Sequence, residues 1–202
     1  MTFVISYPEG ATPLDPNERD GLKHRHITTQ GELNELEQAN IIAGLRWLER
    51  LRRPDVLSDA FALQLHKRLF GDVWAWGGKL RQTERNIGID PLHIAVQLRA
   101  CVDDARFWLE HETYPPMEAA LRFHHRLTVI HPFPNGNGRH ARIMADALLQ
   151  KVYGMPPIDW AGGETLQNNS DRRTNYINAL RAADLGEFEL LFAFAGVNHF
   201  GS

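Results

Sequence analysis

Three features of the sequence predict an all-α fold: apolar residues recurring at helical spacing in segment after segment, capping and stop residues at the segment ends, and only one stretch that breaks the pattern. After a leader at 1–27, TTQGELNELEQANIIAGLRWLERLRR sets Thr29 three residues before Glu32, the spacing of a capping box. It then carries Leu33, Leu36, Ile41, Leu45 and Leu48 on one stripe. A second helix starts near Ser58, with Phe61, Leu65 and Leu69 in register and Gly71 as its stop. A third repeats the pattern through Ile94, Leu98, Val102, Ala105 and Leu109, and a fourth begins at Pro115 and Pro116. RIMADALLQKVYG reads as a helix ending at Gly154, SDRRTNYINALRAADLG as a Ser-capped helix, and EFELLFAFAGVNHF as a closing apolar one. The stretch from Trp74 to Asp90 holds a Gly-Gly step and alternating polar and apolar residues, which predicts a short extended flap or β-hairpin. Trp74 and Trp76 beside it are expected in the core.

Composition narrows the function classes. With 202 residues, 43% of them hydrophobic, the chain is long enough for one sizeable core, and 28–202 is expected to form a single domain. A net charge of −3 offers no global attraction for nucleic acid, so direct nucleic-acid binding is not expected. The start lacks the basic and apolar runs of a signal peptide and no stretch has the length of a membrane span, which predicts a cytoplasmic protein away from the membrane. The single cysteine, Cys101, lies in an apolar helical pattern and reads as a buried hydrophobe.

The chemistry concentrates in HPFPNGNGRHAR, from His131 to Arg142. The preceding helix carries Met117, Ala120, Leu121, His124, Leu127 and Thr128 on one face. Continuing that spacing turns His131 inward at the point where Pro132 ends the helix. The glycines that follow feed a helix N-terminus, where unpaired N–H groups and the helix dipole favour an anion. Arg139 and Arg142, three apart, add two forks suited to phosphate oxygens. A histidine base beside an anion cradle suggests transfer of a phosphorus-containing group to a hydroxyl. A turn and a solvated helix face would explain each part alone, but not their combination in this order. His124 reads as a satisfied core histidine, and His125 and His140 as solvated or near the site mouth. The histidine spacing does not match a zinc helix.

These residues resemble the signature of the Fic family, HPFx(D/E)GNGRxxR, at His131, Pro132, Phe133, Gly136, Asn137, Gly138, Arg139 and Arg142. WAWGGKLRQTERNIG resembles the family's flap at Trp76, Gly78 and Arg81, and with TERNIGID the composite resembles the subgroup called mobile mystery protein B. The resemblance implies a Fic-type helical core and transfer of AMP from ATP to a Ser, Thr or Tyr hydroxyl of a target protein. It makes His131 the general base, Phe133 the buried support of the loop, and Gly136, Asn137 and Gly138 the anion hole. Arg139 would grip the outer phosphates and Arg142 orient the γ-phosphate, while Arg81, Thr83, Asn86, Ile87 and Gly88 would hold the target by strand addition.

Asn135 departs from the signature, standing where an Asp or Glu holds Mg²⁺. Its amide oxygen can still ligate a hard cation, more weakly than a carboxylate. Two alternatives therefore stand beside AMP transfer: phosphate transfer as in the Doc branch, and a degenerate Fic-like module that binds nucleotide or a partner without turnover. Restraint in such enzymes comes from a helix with the motif (S/T)xxxE(G/N), whose glutamate pairs with the second motif arginine. No complete copy is present. Glu32, preceded by Thr28, is the nearest match, although the capping box also accounts for it. Glu35 and Glu37 lie on the same helix, and a separate antitoxin-like partner is the other expected source of inhibition.

Overall fold

The computed structural model describes residues 19–160 and 170–197. The leader's first 18 residues lie outside the described residues. Among those described the structure is helical, in the order α1 (Gln30–Arg50), α2 (Asp59–Phe70), a 3-10 turn (Pro91–His93), α3 (Ile94–Glu110), α4 (Pro116–Ile130), α5 (Asn137–Leu148), a π turn (Leu149–Tyr153), α6 (Ser170–Asp184) and α7 (Glu189–Phe194). The all-α class is what the periodicity demanded.

Local chemistry sets the helix ends. The capping box of α1 is complete: Glu32 N donates to Thr29 Oγ1, and Glu32 Oε2 accepts from the Thr28 and Thr29 N–H groups at 2.9 and 3.0 Å. The Ser58 hydroxyl caps α2 through Phe61 N, and Gly71 closes it. Pro116 opens α4, where its missing N–H costs nothing. The predicted run to Gly154 is one helix in two geometries, since its last turn widens into the π turn before Gly154 at φ +66. There Lys151 Nζ donates to the carbonyls of Glu49 and Leu51, completing the C-terminus of α1.

The helices pack in neighbouring pairs, α1 on α2, α3 on α4, α4 on α5 and α6 on α7. Leu33 and Leu48 of α1, Leu65 of α2, Leu98 of α3, Leu121 of α4 and Met144 of α5 are all buried, together with Trp74, Trp76 and Cys101. Burial raises the Cys101 thiol to about 12, so it stays protonated. Residues 19–27 lie against this body: Leu22 bridges Trp74, Lys23 N donates to Val73 O, and Ala75 N donates to Gly21 O.

The flap departs from the expected hairpin. Among the described residues it holds no strand, and the isolated Leu22–Trp74 bridge touches only its first residue. The N–H groups that would build a ladder are spent elsewhere, Arg81 N on Pro132 O at 2.9 Å and Ile89 N on Ile130 O at 3.5 Å. Both limbs are thus tied to the end of α4 and the loop after it.

Candidate functional site

α4 ends on His131, which takes the left-handed conformation, φ 51 and ψ 60, in a residue that has a Cβ. That backbone costs roughly 1–2 kcal/mol and persists only when its surroundings hold it. Arg81 does the holding. Its guanidinium is 1% exposed and donates to His131 O at 2.7 Å, Thr83 O at 2.9 Å, Ile130 O at 3.4 Å and Ile89 O. A cation on the last carbonyls of a helix also complements the negative end of its dipole. Arg81 therefore positions the end of α4, and its side chain is not presented to a target. Gly88 completes the clamp at φ +98, where an added Cβ would stand 2.6 Å from His131 Cβ. Thr83, Asn86, Ile87 and Gly88 form the exposed rim of the flap.

His131 lies inward, as its position at the end of α4 required, and is 8% exposed. Its Nδ1 lies 3.3 Å from Thr128 O, an acceptor, so Nδ1 carries the proton and Nε2 the lone pair. Desolvation lowers its pKa to about 4; the nearby Arg81 and Arg85 cations add to this, and the Thr128 bond opposes it. The ring is neutral at physiological pH and competent to accept a proton.

The loop after His131 is clamped by Asn137, whose Oδ1 accepts from Phe133 N and whose Nδ2 donates to Phe133 O, both at 2.8 Å. Asn137 is buried, and its side chain is spent on the loop backbone. Gly136, at φ +77, is the N-cap of α5, and no side chain caps that N-terminus. The first N–H groups of a twelve-residue helix remain for an anion. A Cβ added at Gly138 would lie 3.7 Å from Arg142 Nη1, which places the Arg142 fork over the helix start.

The two arginines lean to opposite sides. Arg139 lies over the Phe70 ring at 4.9 Å and donates through both terminal nitrogens to Glu37 Oε2 at 3.2 Å. Glu37 Oε1 accepts from Trp74 Nε1 at 2.8 Å, so the whole carboxylate is engaged. Arg142 lies over the Tyr176 ring at 5.5 Å, with Asp146 one turn farther along α5. Burial raises the Asp146 pKa to about 6, against the opposing pull of the Ile158 N–H, Trp160 Nε1–H and the Arg142 charge. Glu37 therefore meets the first motif arginine, not the second, and Glu32 is held in its capping box away from both.

Asn135 Oδ1 accepts from Gly136 N at 2.6 Å. One neutral amide oxygen, already hydrogen-bonded, is a poor match for Mg²⁺, which a protein normally holds through one or two carboxylates together with phosphate oxygens. No group of three His, Cys, Asp or Glu residues suited to a metal occurs among the described residues. Two further expectations change. His125 and His140 are both buried, His125 Nε2 at 2.8 Å from Asp184 Oδ1 and His140 Nε2 donating to Ala62 O at 2.9 Å. His124 is buried in the core as expected, but only half satisfied: Nε2 lies 2.9 Å from the Tyr176 hydroxyl, and Nδ1 has no hydrogen bond among the described residues.

Residues 56–149, from the approach to α2 through α5, match the Fic/DOC family. They form a Fic/DOC family domain. The protein adenylyltransferase fic-1 of Caenorhabditis elegans is 30% identical over 141 residues, 66% of this chain and 25% of that protein. The chain spans about a quarter of the length of the curated relatives it matches. A Fic-1 variant from C. elegans superposes with a TM-score of 0.61 at 26% identity, covering 87% of this chain and 51% of that one. BepC of Bartonella tribocorum, solved with bound AMPPNP, superposes at 0.67 with 16% identity over 93% of this chain and all of that one, which establishes a shared fold. His66, Phe70 and Asp146 of the matched residues, and Tyr176 of α6, lie around the motif without a sequence motif of their own. The histidine in LQLHKRLF, set among the apolar residues of α2, was the available signal.

Proposed function

We propose that this chain transfers AMP from ATP to a hydroxyl side chain of a target protein. The observation that carries the reading is the juxtaposition of a neutral, Nδ1-protonated His131 with the uncapped N-terminus of α5, flanked by Arg139 and Arg142. His131 Nε2 takes the proton of a Ser, Thr or Tyr hydroxyl as its oxygen attacks the α-phosphorus. The bond from that phosphorus to the bridging oxygen breaks, and pyrophosphate leaves. The N–H groups of α5 and the two guanidinium forks stabilise the phosphate charge, while the flap rim from Thr83 to Gly88 receives the target backbone. The relatives named protein adenylyltransferase support this reaction, and the TERNIGID flap supports membership of the mobile mystery protein B subgroup. No described helix is long and apolar enough to cross a membrane; the cytoplasm expected from the sequence is the proposed place of the reaction.

Restraint is assigned to Glu37. By holding Arg139 it occupies the fork that a nucleotide's outer phosphates need, without excluding an antitoxin-like partner acting on the same helix. The Asn135 amide favours the second reading, a module that binds nucleotide without turnover. Incubation with α-labelled and γ-labelled ATP and a host lysate separates the possibilities: label from the α position on protein supports AMP transfer. Label from the γ position alone means phosphate transfer as in the Doc branch, and none, with nucleotide binding retained, means the binding module.

A further inference from the structure

The motif loop rests on α2 through two side chains one turn apart, His66 and Phe70. His66 is fully buried. Its Nδ1 accepts from Gly78 N at 2.9 Å, and its Nε2 lies 3.0 Å from Asn135 O. An amide N–H can only donate and a carbonyl can only accept, so the ring is fixed as the neutral Nε2–H tautomer. It stacks on Phe133 at 3.6 Å and 14°, with Phe70 at 4.7 Å, His140 at 5.6 Å and Trp76 at 6.1 Å closing the remaining sides. The ring has no room to swing. Phe70 lies under Gly136, where an added Cβ would meet its Cζ at 2.5 Å, and the same ring carries the Arg139 guanidinium.

We propose that His66 is a positioning residue: a tautomer-locked imidazole that joins the turn at Gly78 to the carbonyl of Asn135 and so sets the height of the anion-binding loop. Loss of its Nε2–H removes the bond from α2 to the Asn135 carbonyl, and Asn135 and Gly136 are where the loop turns toward α5. Loss of the Nδ1 acceptor frees Gly78, whose φ of +79 is confined beside Lys67 and the Leu63 carbonyl. The two ends are separable chemically. Glutamine at position 66 can extend an N–H toward Asn135 O, whereas asparagine reaches only to the Nδ1 position and serves Gly78. The effect on turnover rests on the AMP-transfer reading; the tautomer does not.

The test has two arms on the full chain. Long-range proton–nitrogen NMR of the histidine-labelled protein is expected to show His66 protonated at Nε2 alone at neutral pH; an Nδ1–H ring or an imidazolium overturns the proposal. In the second arm, kcat and KM for ATP are compared for His66→Gln and His66→Asn, each checked for folding by its urea midpoint. Misplacing the loop by about 1 Å is expected to lower kcat on the order of 10- to 100-fold more in the asparagine variant than in the glutamine variant. Equal kcat in two folded variants refutes the positioning role. Should the wild-type chain show no turnover, the AMP-transfer reading has failed, and the tautomer still decides the assignment of His66. Should asparagine fail to fold, the NMR arm decides it.

Discussion

Lowering the pH from 7 to 5 should destabilise this protein by an amount that its buried rings set. His124, His131 and His140 are all held neutral mainly by desolvation, with pKa values lowered to about 3, 4 and 4. Their folded values lie below the unfolded value near 6.5, so the stabilisation is complete above that value and is withdrawn as pH falls toward the folded ones. At pH 5 each ring has lost about 2 kcal/mol, because the unfolded chain binds a proton there and the folded chain does not. Asp146 runs the other way: its folded value of about 6 lies above the unfolded one, so the penalty it imposes at neutral pH is relieved as pH falls through 6. That returns about 1 kcal/mol by pH 5, for a net loss on the order of 5 kcal/mol, with buried His66 adding in the same direction. The measurement is urea unfolding at both pH values, followed by tryptophan fluorescence. His140→Gln, which keeps a donor for Ala62 O, should remove about 2 kcal/mol of the loss. Equal unfolding free energies at pH 7 and pH 5 would refute the claim that these rings are buried neutral.

His131→Ala should leave nucleotide binding nearly intact while lowering transfer by about 10²- to 10⁴-fold, checked by label incorporation beside calorimetric titration with an ATP analogue. Asn135→Asp keeps an acceptor for Gly136 N and adds a charge worth on the order of 1–2 kcal/mol to a nearby cation. The Mg²⁺ concentration for half-maximal activity should therefore fall by about tenfold, and an unchanged requirement would mean the loop uses its donor without this contact. Glu37→Gln should raise transfer by about tenfold by releasing Arg139; no rise, with suppression instead by a co-expressed neighbouring protein, would move restraint to that partner.

What the sequence disclosed and what it concealed divide along a physical line. Apolar periodicity, a capping box and helix-stopping residues act locally, so α1 to α7 were legible from their own segments. The placement of His131 was legible too, because continuing the helical spacing to the residue before Pro132 allows only an inward side chain at a helix exit. The flap misled because alternation and a Gly-Gly step describe an extended backbone without saying where its N–H groups go. Arg81 and Ile89 give theirs to carbonyls at the end of α4, which lie some fifty and forty residues away along the chain. A still greater separation, 102 residues, hid the Glu37 partner of Arg139. Helical spacing placed Glu37 on α1 and Arg139 on α5, but the packing of both helices against α2 decides which arginine the carboxylate meets. His125 and His140 were misplaced for a related reason. A histidine is solvated or buried according to whether a single acceptor awaits it, and Asp184 and the Ala62 carbonyl come from other helices. A histidine on an apolar helix face is therefore an open question until its two nitrogens have been assigned partners. At His66 that assignment leads from α2 directly into the motif loop.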